Sequence, residues 1–246
     1  MTARLQAILR LLAVQAAWTY ERMTGIGVGH AAAPLLKHHL SSQTREARLA
    51  AVARSAEFFN SHPYLAGVAV GAVVRAEKEG VPGGTIIRLR TALSGPLGAL
   101  GDQLVWAGQV PALIGLSLAA IPWFGGWAVL LAVVVHNVLR LALTAWGLDL
   151  GLREGLAVGS ALQRSWLPRR ADDAQRLAAF AVGLAVPVAA WYLLADVATN
   201  SAFAVMAVGG LGAMLALAPQ TRAHVTGVRF GLVLVVVSLL VVGGSR

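Results

Sequence analysis

Side chains able to do chemistry fall in four short clusters. The first, Trp18-Thr19-Tyr20-Glu21-Arg22-Met23, sets aromatic rings, a carboxylate and a guanidinium within about two helical turns. A sugar has an apolar face and a hydroxyl edge, so aromatic planes beside hydrogen-bonding carboxylates suit it. The same residues also serve as an interfacial anchor with a local Glu21–Arg22 charge pair. In the second, Phe58-Phe59-Asn60-Ser61-His62-Pro63-Tyr64, Pro63 biases His62 out of the α region and bends the chain. At membrane depth Asn60 and His62 need partners: a ligand, or the backbone freed by Pro63. The third, Gly95 to Trp106, combines helix-weakening glycine and proline with the carboxylate of Asp102. It predicts either a discontinuous helix buried in protein or lining a cavity, or a helix start capped by Asp102. In the fourth, His136 and Asn137 interrupt an apolar stretch, where polar side chains tie helices together or touch substrate. Arg140 and Arg153 read as cytoplasmic-edge cations.

These clusters must be carried by a membrane protein. Of 246 residues 57% are hydrophobic and only 13% are charged, against about 25% charged in soluble domains, and the mean hydropathy is +0.70. Basic residues outnumber acidic ones 20 to 11. The positive-inside rule and attraction to anionic lipid account for that excess, and no nucleic-acid motif is present. The absence of cysteine excludes disulfides, thiolate catalysis and cysteine-held metals. No hydrolase elbow, Walker loop, dinucleotide fingerprint or metal-ligand spacing occurs, and His30, His38, His39 and His224 form no ligand pattern. Neither bond-making chemistry nor a cofactor is expected of this chain.

Leu5, Ile8, Leu9, Leu12 and Ala13 recur at helical spacing, which predicts an amphipathic helix on the cytoplasmic leaflet. The basic start lacks a small-residue cleavage site and is not read as a signal peptide. Arg45, Glu46 and Arg48 mark a solvated helix capped within Ser41 to Thr44. Leu65 to Val74 is apolar but too short to cross, and Gly80 to Gly84 is a turn. Between Asp102 and Arg140 no charged residue occurs. A span needs about 20 residues, so this interval holds two, joined at Ile121–Trp127 with its belt of tryptophans. Further spans are expected at Leu177–Ala195, Ala202–Leu217 and His224–Val242, the last with Arg229 near its start. Arg164, Arg169, Arg170, Arg176 and Arg222 belong inside; Asp196, the Ile121–Trp127 turn and the carboxyl terminus belong outside. The reading is a single all-α integral membrane domain over residues 1–246, multi-pass. Residues 1–92 form amphipathic, cytoplasmic and re-entrant helices; residues 93–246 form a bundle of about five transmembrane helices, at about 20 residues each.

Taken in order, the clusters resemble the IID subunit of the mannose/fructose/sorbose family of the bacterial phosphotransferase system. Trp18 to Met23, Phe58 to Tyr64, Gly95 to Asp102, and Asn137 to Arg140 with Gly147-Leu148-Asp149-Leu150-Gly151 carry the match. From about Arg164 onward it is only a hydrophobic pattern, and the tail is short. Gln103 stands where the family commonly has serine, Ser94 replaces a methionine, and the final third lacks a more polar connecting segment. The resemblance implies a non-phosphorylated permease subunit of the bacterial inner membrane. Its partner is IIC, in a trimer of IIC–IID heterodimers, and IIA and IIB carry the phosphoryl group to a mannose-type hexose. No cofactor is implied. Glu21, Asn60, His62 and Asp102 are the polar groups expected near the sugar or the subunit seam, with Trp18, Tyr64 and Trp106 as aromatic neighbours. The competing reading is a degenerate IID-like scaffold that assembles without carrying sugar. A self-sufficient secondary transporter ranks last.

Overall fold

A computed structural model of the protein describes residues 1–194, and every regular element among them is helical. The chain runs α1 (Ala3–Leu12), α2 (Gly25–His39), α3 (Arg45–Ser55), a 3-10 turn (Pro63–Leu65) and α4 (Ala66–Lys78). Then follow α5 (Gly83–Gly101), a π-helical stretch (Asp102–Gln109), α6 (Val110–Phe124) and α7 (Gly126–Glu154). A second 3-10 turn (Gly155–Ala157), α8 (Val158–Arg164) and α9 (Leu167–Leu194) complete it. The expected spans Ala202–Leu217 and His224–Val242, with Asp196, Arg222, Arg229 and the carboxyl terminus, lie outside the described residues.

The uncharged interval folds as its composition requires. One helical run covers Gly83–Phe124 over 42 residues and another, turned at Gly155, covers Gly126–Arg164 over 39, each long and apolar enough to cross a bilayer. They meet at Gly125, whose φ of +53° is a conformation glycine adopts without penalty. Trp123, Phe124 and Trp127 stand largely exposed around that tip.

The Gly95–Pro96 motif does not interrupt its helix. Proline removes one backbone donor, and the helix absorbs this. What changes is the register: the Val110 N–H reaches back to the Val105 carbonyl, five residues away. Asp102 has φ −64° and ψ −42°, and its N–H donates back to the Gly98 and Ala99 carbonyls, so it lies inside the helix instead of starting one as an N-cap. Caps form where Ser/Thr chemistry calls for them: Thr2 Oγ1 accepts from the Leu5 N–H at 3.3 Å and Thr44 Oγ1 from the Ala47 N–H at 3.2 Å.

Helix α1 is docked, not laid on a leaflet alone. Ala7, Leu11 and Val14 turn into the core while Leu5 and Leu9 stay exposed. Arg4 donates from Nε and Nη2 to the two carboxylate oxygens of Asp149 on α7, at 2.9 and 2.6 Å. The centre of the fold is α4, buried at ten of its 13 residues. It crosses α7 through Gly67 and Gly71 on one side and Gly147 and Gly151 on the other. Small residues four apart let two helix backbones touch, the device by which helices associate in lipid. A Cβ on Gly71 would lie 2.3 Å from the Leu148 carbonyl oxygen, and one on Gly151 2.2 Å from that of Val68. Helix α9 packs on the π stretch and α6 likewise: a Cβ on Gly108 would lie 2.6 Å from Ala174 Cβ, and Ala112, Ala178 and Ala181 fill the seam.

Candidate functional site

The first two clusters are joined by backbone hydrogen bonds, and side chains of α5 fasten that junction to the helix carrying the third. The Thr19 and Met23 amides and carbonyls pair, with Met23 at φ +50°, a left-handed conformation uncommon outside glycine. The Phe59 N–H donates to the Arg22 carbonyl at 3.3 Å, and the Thr24 N–H and hydroxyl donate to the Phe59 carbonyl at 3.0 and 2.8 Å. From α5, the Ser94 hydroxyl donates to the Asn60 carbonyl. Arg90, 2% exposed, donates to the carbonyls of Arg54 at 2.7 Å and of Ser55 and Glu57 at 3.0 Å, and sits 5.5 Å over the Phe59 ring. Its guanidinium therefore caps the carboxyl end of α3, supplying donors to carbonyls that a helix end leaves without partners. Arg90 is legible in the sequence as an anomaly: it occupies the inward stripe Ile86, Leu93, Leu97, where every other member is apolar.

Beside this junction lies a polar and aromatic cluster inside otherwise apolar helices. His62 is 2% exposed; its Nδ1 accepts from the Tyr64 N–H at 3.2 Å, serving the backbone opened by Pro63. Its Nε2 finds no hydrogen-bond partner among the described residues. The His62 ring meets Tyr64 edge-on at 4.9 Å and Trp106 at 5.5 Å, separations typical of paired rings. The Tyr64 hydroxyl lies 3.0 Å from His136 Nε2, and His136 Nδ1 lies 3.1 Å from the Gln109 amide nitrogen. Arg140 places its guanidinium 5.1 Å over the Tyr64 ring and also donates to the Leu12 carbonyl. Gly101 makes room for all this, since a Cβ there would fall 2.1 Å from His62 Cβ. A cavity of about 300 Å³ between α6 and α7 ends at Trp106, Ser117 and His136.

Burial pushes the His62 imidazole down to about 4, against an upward pull from the negative charge of Asp102. Between pH 6.5 and 4 the unfolded chain therefore binds a proton at His62 that the folded chain refuses. Stability from this group is complete above 6.5 and falls as the pH drops toward 4. We expect the melting temperature of the detergent-solubilised protein to fall over that window, and His62→Gln to flatten the fall. An unchanged acid limb in the variant would assign the loss to other groups.

Of the seven expected site residues, His62, Tyr64 and Trp106 converge. Asp102 is exposed on the same helix as Trp106, near enough for its charge to act on His62. Asn60 is exposed beside the junction, and Trp18 and Glu21 lie exposed on the paired loop, outside the ring contacts. His136, which the sequence reads as helix glue, does join α7 to the Pro63 turn and to the π stretch, but as the hub of the cluster. Gln109 carries no signal in the sequence. Arg140, expected as a cytoplasmic-edge cation, covers Tyr64. Spacing is the one clue to it, since His136 and Arg140, four residues apart, share one face of α7. Asn137 turns back to its own helix, donating to the Val133 carbonyl at 2.9 Å.

The sequence profile of the PTS system mannose/fructose/sorbose family IID component matches residues 2–222. The chain belongs to this family. The match continues past Arg164, where the residues alone read only as a hydrophobic pattern. The chain is 32% identical over 178 residues to the sorbose-specific EIID component of Lacticaseibacillus casei, covering 70% of this chain and 62% of that protein. It is 29% identical over 184 residues to the mannose-specific EIID component of Escherichia coli K12, covering 72% and 64%. The chain thus spans less than two thirds of the length of either relative. Among solved structures, it is similar to a chain in the complex of the mannose transporter ManYZ with microcin E492, at TM-score 0.54 and 25% identity, covering 74% of this chain and 68% of that one. A second, described as a membrane protein, matches at TM-score 0.61 and 28% identity over the same shares. As a IID component the chain is a membrane protein, in keeping with its two long apolar helices.

Proposed function

We propose that this IID component is one half of a sugar permease in a bacterial inner membrane. It pairs with a IIC subunit, assembled as a trimer of heterodimers, and a mannose-type hexose crosses the pair while IIA and IIB deliver the phosphoryl group on the cytoplasmic side. Tyr64, His62 and Trp106, with His136, Gln109 and Arg140, form a wall of the path. Asp102, Asn60, Glu21 and Trp18 stand at its outer rim or at the subunit seam. The wall offers the apolar planes and hydrogen-bonding edge a hexose needs, and its role is recognition, with no bond made or broken by this chain. The observation that carries the reading is that separate polar clusters of the sequence meet in one place among apolar helices, where ionisable groups are disfavoured unless they serve a function.

Uptake of labelled hexose by cells producing this chain with its IIC partner tests the proposal. Tyr64→Phe and His136→Ala should each lower uptake about tenfold at unchanged membrane abundance, the size of one lost buried hydrogen bond. Unchanged uptake in both removes the wall, and unchanged uptake in Asp102→Ala and Asn60→Ala removes the rim. One observation favours the scaffold reading: Tyr64, His136 and Gln109 already satisfy one another within the chain. Co-purification with IIC without any sugar-dependent thermal shift would decide for it.

A further inference from the structure

A second cavity, about twice the size of the first at about 600 Å³, opens between α6, α7 and α9. Leu113, Leu116, Val135, Leu139 and Leu143 give it apolar walls. At one end Trp146 and Trp166 lie with ring centroids 4.9 Å apart, next to Arg170 and Asp173. That end is strongly basic in sequence, with Arg164, Arg169, Arg170 and Arg176 against Asp172 and Asp173. The Arg170–Asp173 pair is 3.5 Å long and mostly exposed, so it holds the guanidinium weakly and leaves donors free to face a phosphate.

We propose that this cleft is a binding site for an anionic phospholipid, its acyl chain between α6, α7 and α9 and its phosphate on Arg170, with the charge of Arg169 next to it in the chain. The walls are too apolar for a sugar, whose hydroxyls would go unpaired, and a free anion would leave the apolar length unused. An amphiphile matches both ends at once. Paired tryptophans mark the level where acyl chain gives way to headgroup, and a guanidinium fork suits phosphate oxygens better than an ammonium does. The charge of the basic end selects phosphatidylglycerol over zwitterionic lipid. Gln109 lines this cleft and also contacts His136, so an occupying lipid would touch the polar cluster through one side chain. The site stands on the membrane reading and not on sugar transport.

The test uses the full chain with its partner, purified in mild detergent and supplied with phosphatidylglycerol or phosphatidylethanolamine as mixed lipid–detergent micelles. Lipid retained after washing is quantified by mass spectrometry. The native protein should hold phosphatidylglycerol preferentially. Arg169→Gln with Arg170→Gln should weaken retention about thirtyfold, from about 1 kcal/mol per arginine at an anionic surface. Arg45→Gln with Arg48→Gln, on α3, should leave it unchanged. Leu139→Trp, which fills the cleft, should abolish retention with all arginines in place and the melting temperature held. Equal loss in both arginine pairs would show general surface attraction and overturn the site, as would full retention in Leu139→Trp. The chain has no cysteine, so Leu139→Cys gives one reporter. Reaction with a lipid-soluble maleimide only after delipidation supports a lipid occupant. Protection that persists after delipidation means protein covers the cleft, and overturns it.

Discussion

Replacing Gly151 with valine should eliminate recovery of folded protein. The residue sits where α4 and α7 cross, and a Cβ there would lie 2.2 Å from the Val68 carbonyl oxygen and 2.6 Å from the Ala72 amide nitrogen. Both obstacles are backbone of a helix buried on nearly every side, so neither can swing away as a side chain would. Ordinary overpacking destabilises by about 1–3 kcal/mol; here the helices must separate, and the loss exceeds that range. Separation would also undo contacts that depend on close approach, from Gly67 and Gly71 on α4 to Gly147 on α7. Fluorescence-detected size exclusion in detergent reads the outcome as loss of the monodisperse peak, with Gly71→Val behaving alike. Gly159, where an added Cβ would meet nothing within 4 Å, provides the contrast: Gly159→Ala should elute and melt like the native protein. A monodisperse Gly151→Val protein would mean the crossing is looser than the close approach implies.

Arg90→Met should lower stability on the order of 3 kcal/mol, because the carbonyls of Arg54, Ser55 and Glu57 all lose a donor, that of Ser55 in a buried position. Methionine restores most of the volume, so the effect isolates hydrogen bonding and the charge over Phe59. Arg90→Lys keeps the charge but lacks the planar fork that reaches several carbonyls together, and it should recover only part of the loss. Scanning fluorimetry gives the melting temperatures. Limited proteolysis should show new cutting between Arg54 and His62 in the methionine variant. Native-like melting and no new cleavage would show that the end of α3 holds without the cap.

The apolar periodicity and the uncharged interval make the helical class, the paired long helices and the turn at Gly125 legible, because burial and bilayer thickness act on every residue in a stretch. The Thr44 cap is legible because its chemistry is local. The glycine-proline motif misleads, since composition reports how weak a helix is in isolation, while packing decides whether it breaks. Against Gly101 a histidine presses close, whereas Gly95 and Gly98 have open space beside them; the sequence does not distinguish these glycines. Within the cluster, His62, Tyr64 and Trp106 stand out as polar or aromatic residues near a proline or a glycine run. Gln109 and Arg140 do not, because their meaning comes from His136 and Tyr64, distant in the chain, which only the fold brings near.

The π stretch from Asp102 to Gln109 carries a further implication. In a uniform α-helix Gly101 and Gly108, seven residues apart, would share a face to within about 20°. Here Gly101 serves His62 and Gly108 serves α9. The wide turn thus acts as a phase shifter between two halves of one rod, each meshed with different neighbours. A turn closed by five-residue hydrogen bonds holds more residues than an α turn, so it takes up a length of chain that a uniform α-helix would convert into rotation of Gly115 away from the alanine seam of α9. Between residues 102 and 109 the helix thus keeps a reserve of chain length, while side-chain size is held tightly at Gly108, where a Cβ would lie 2.6 Å from Ala174 Cβ.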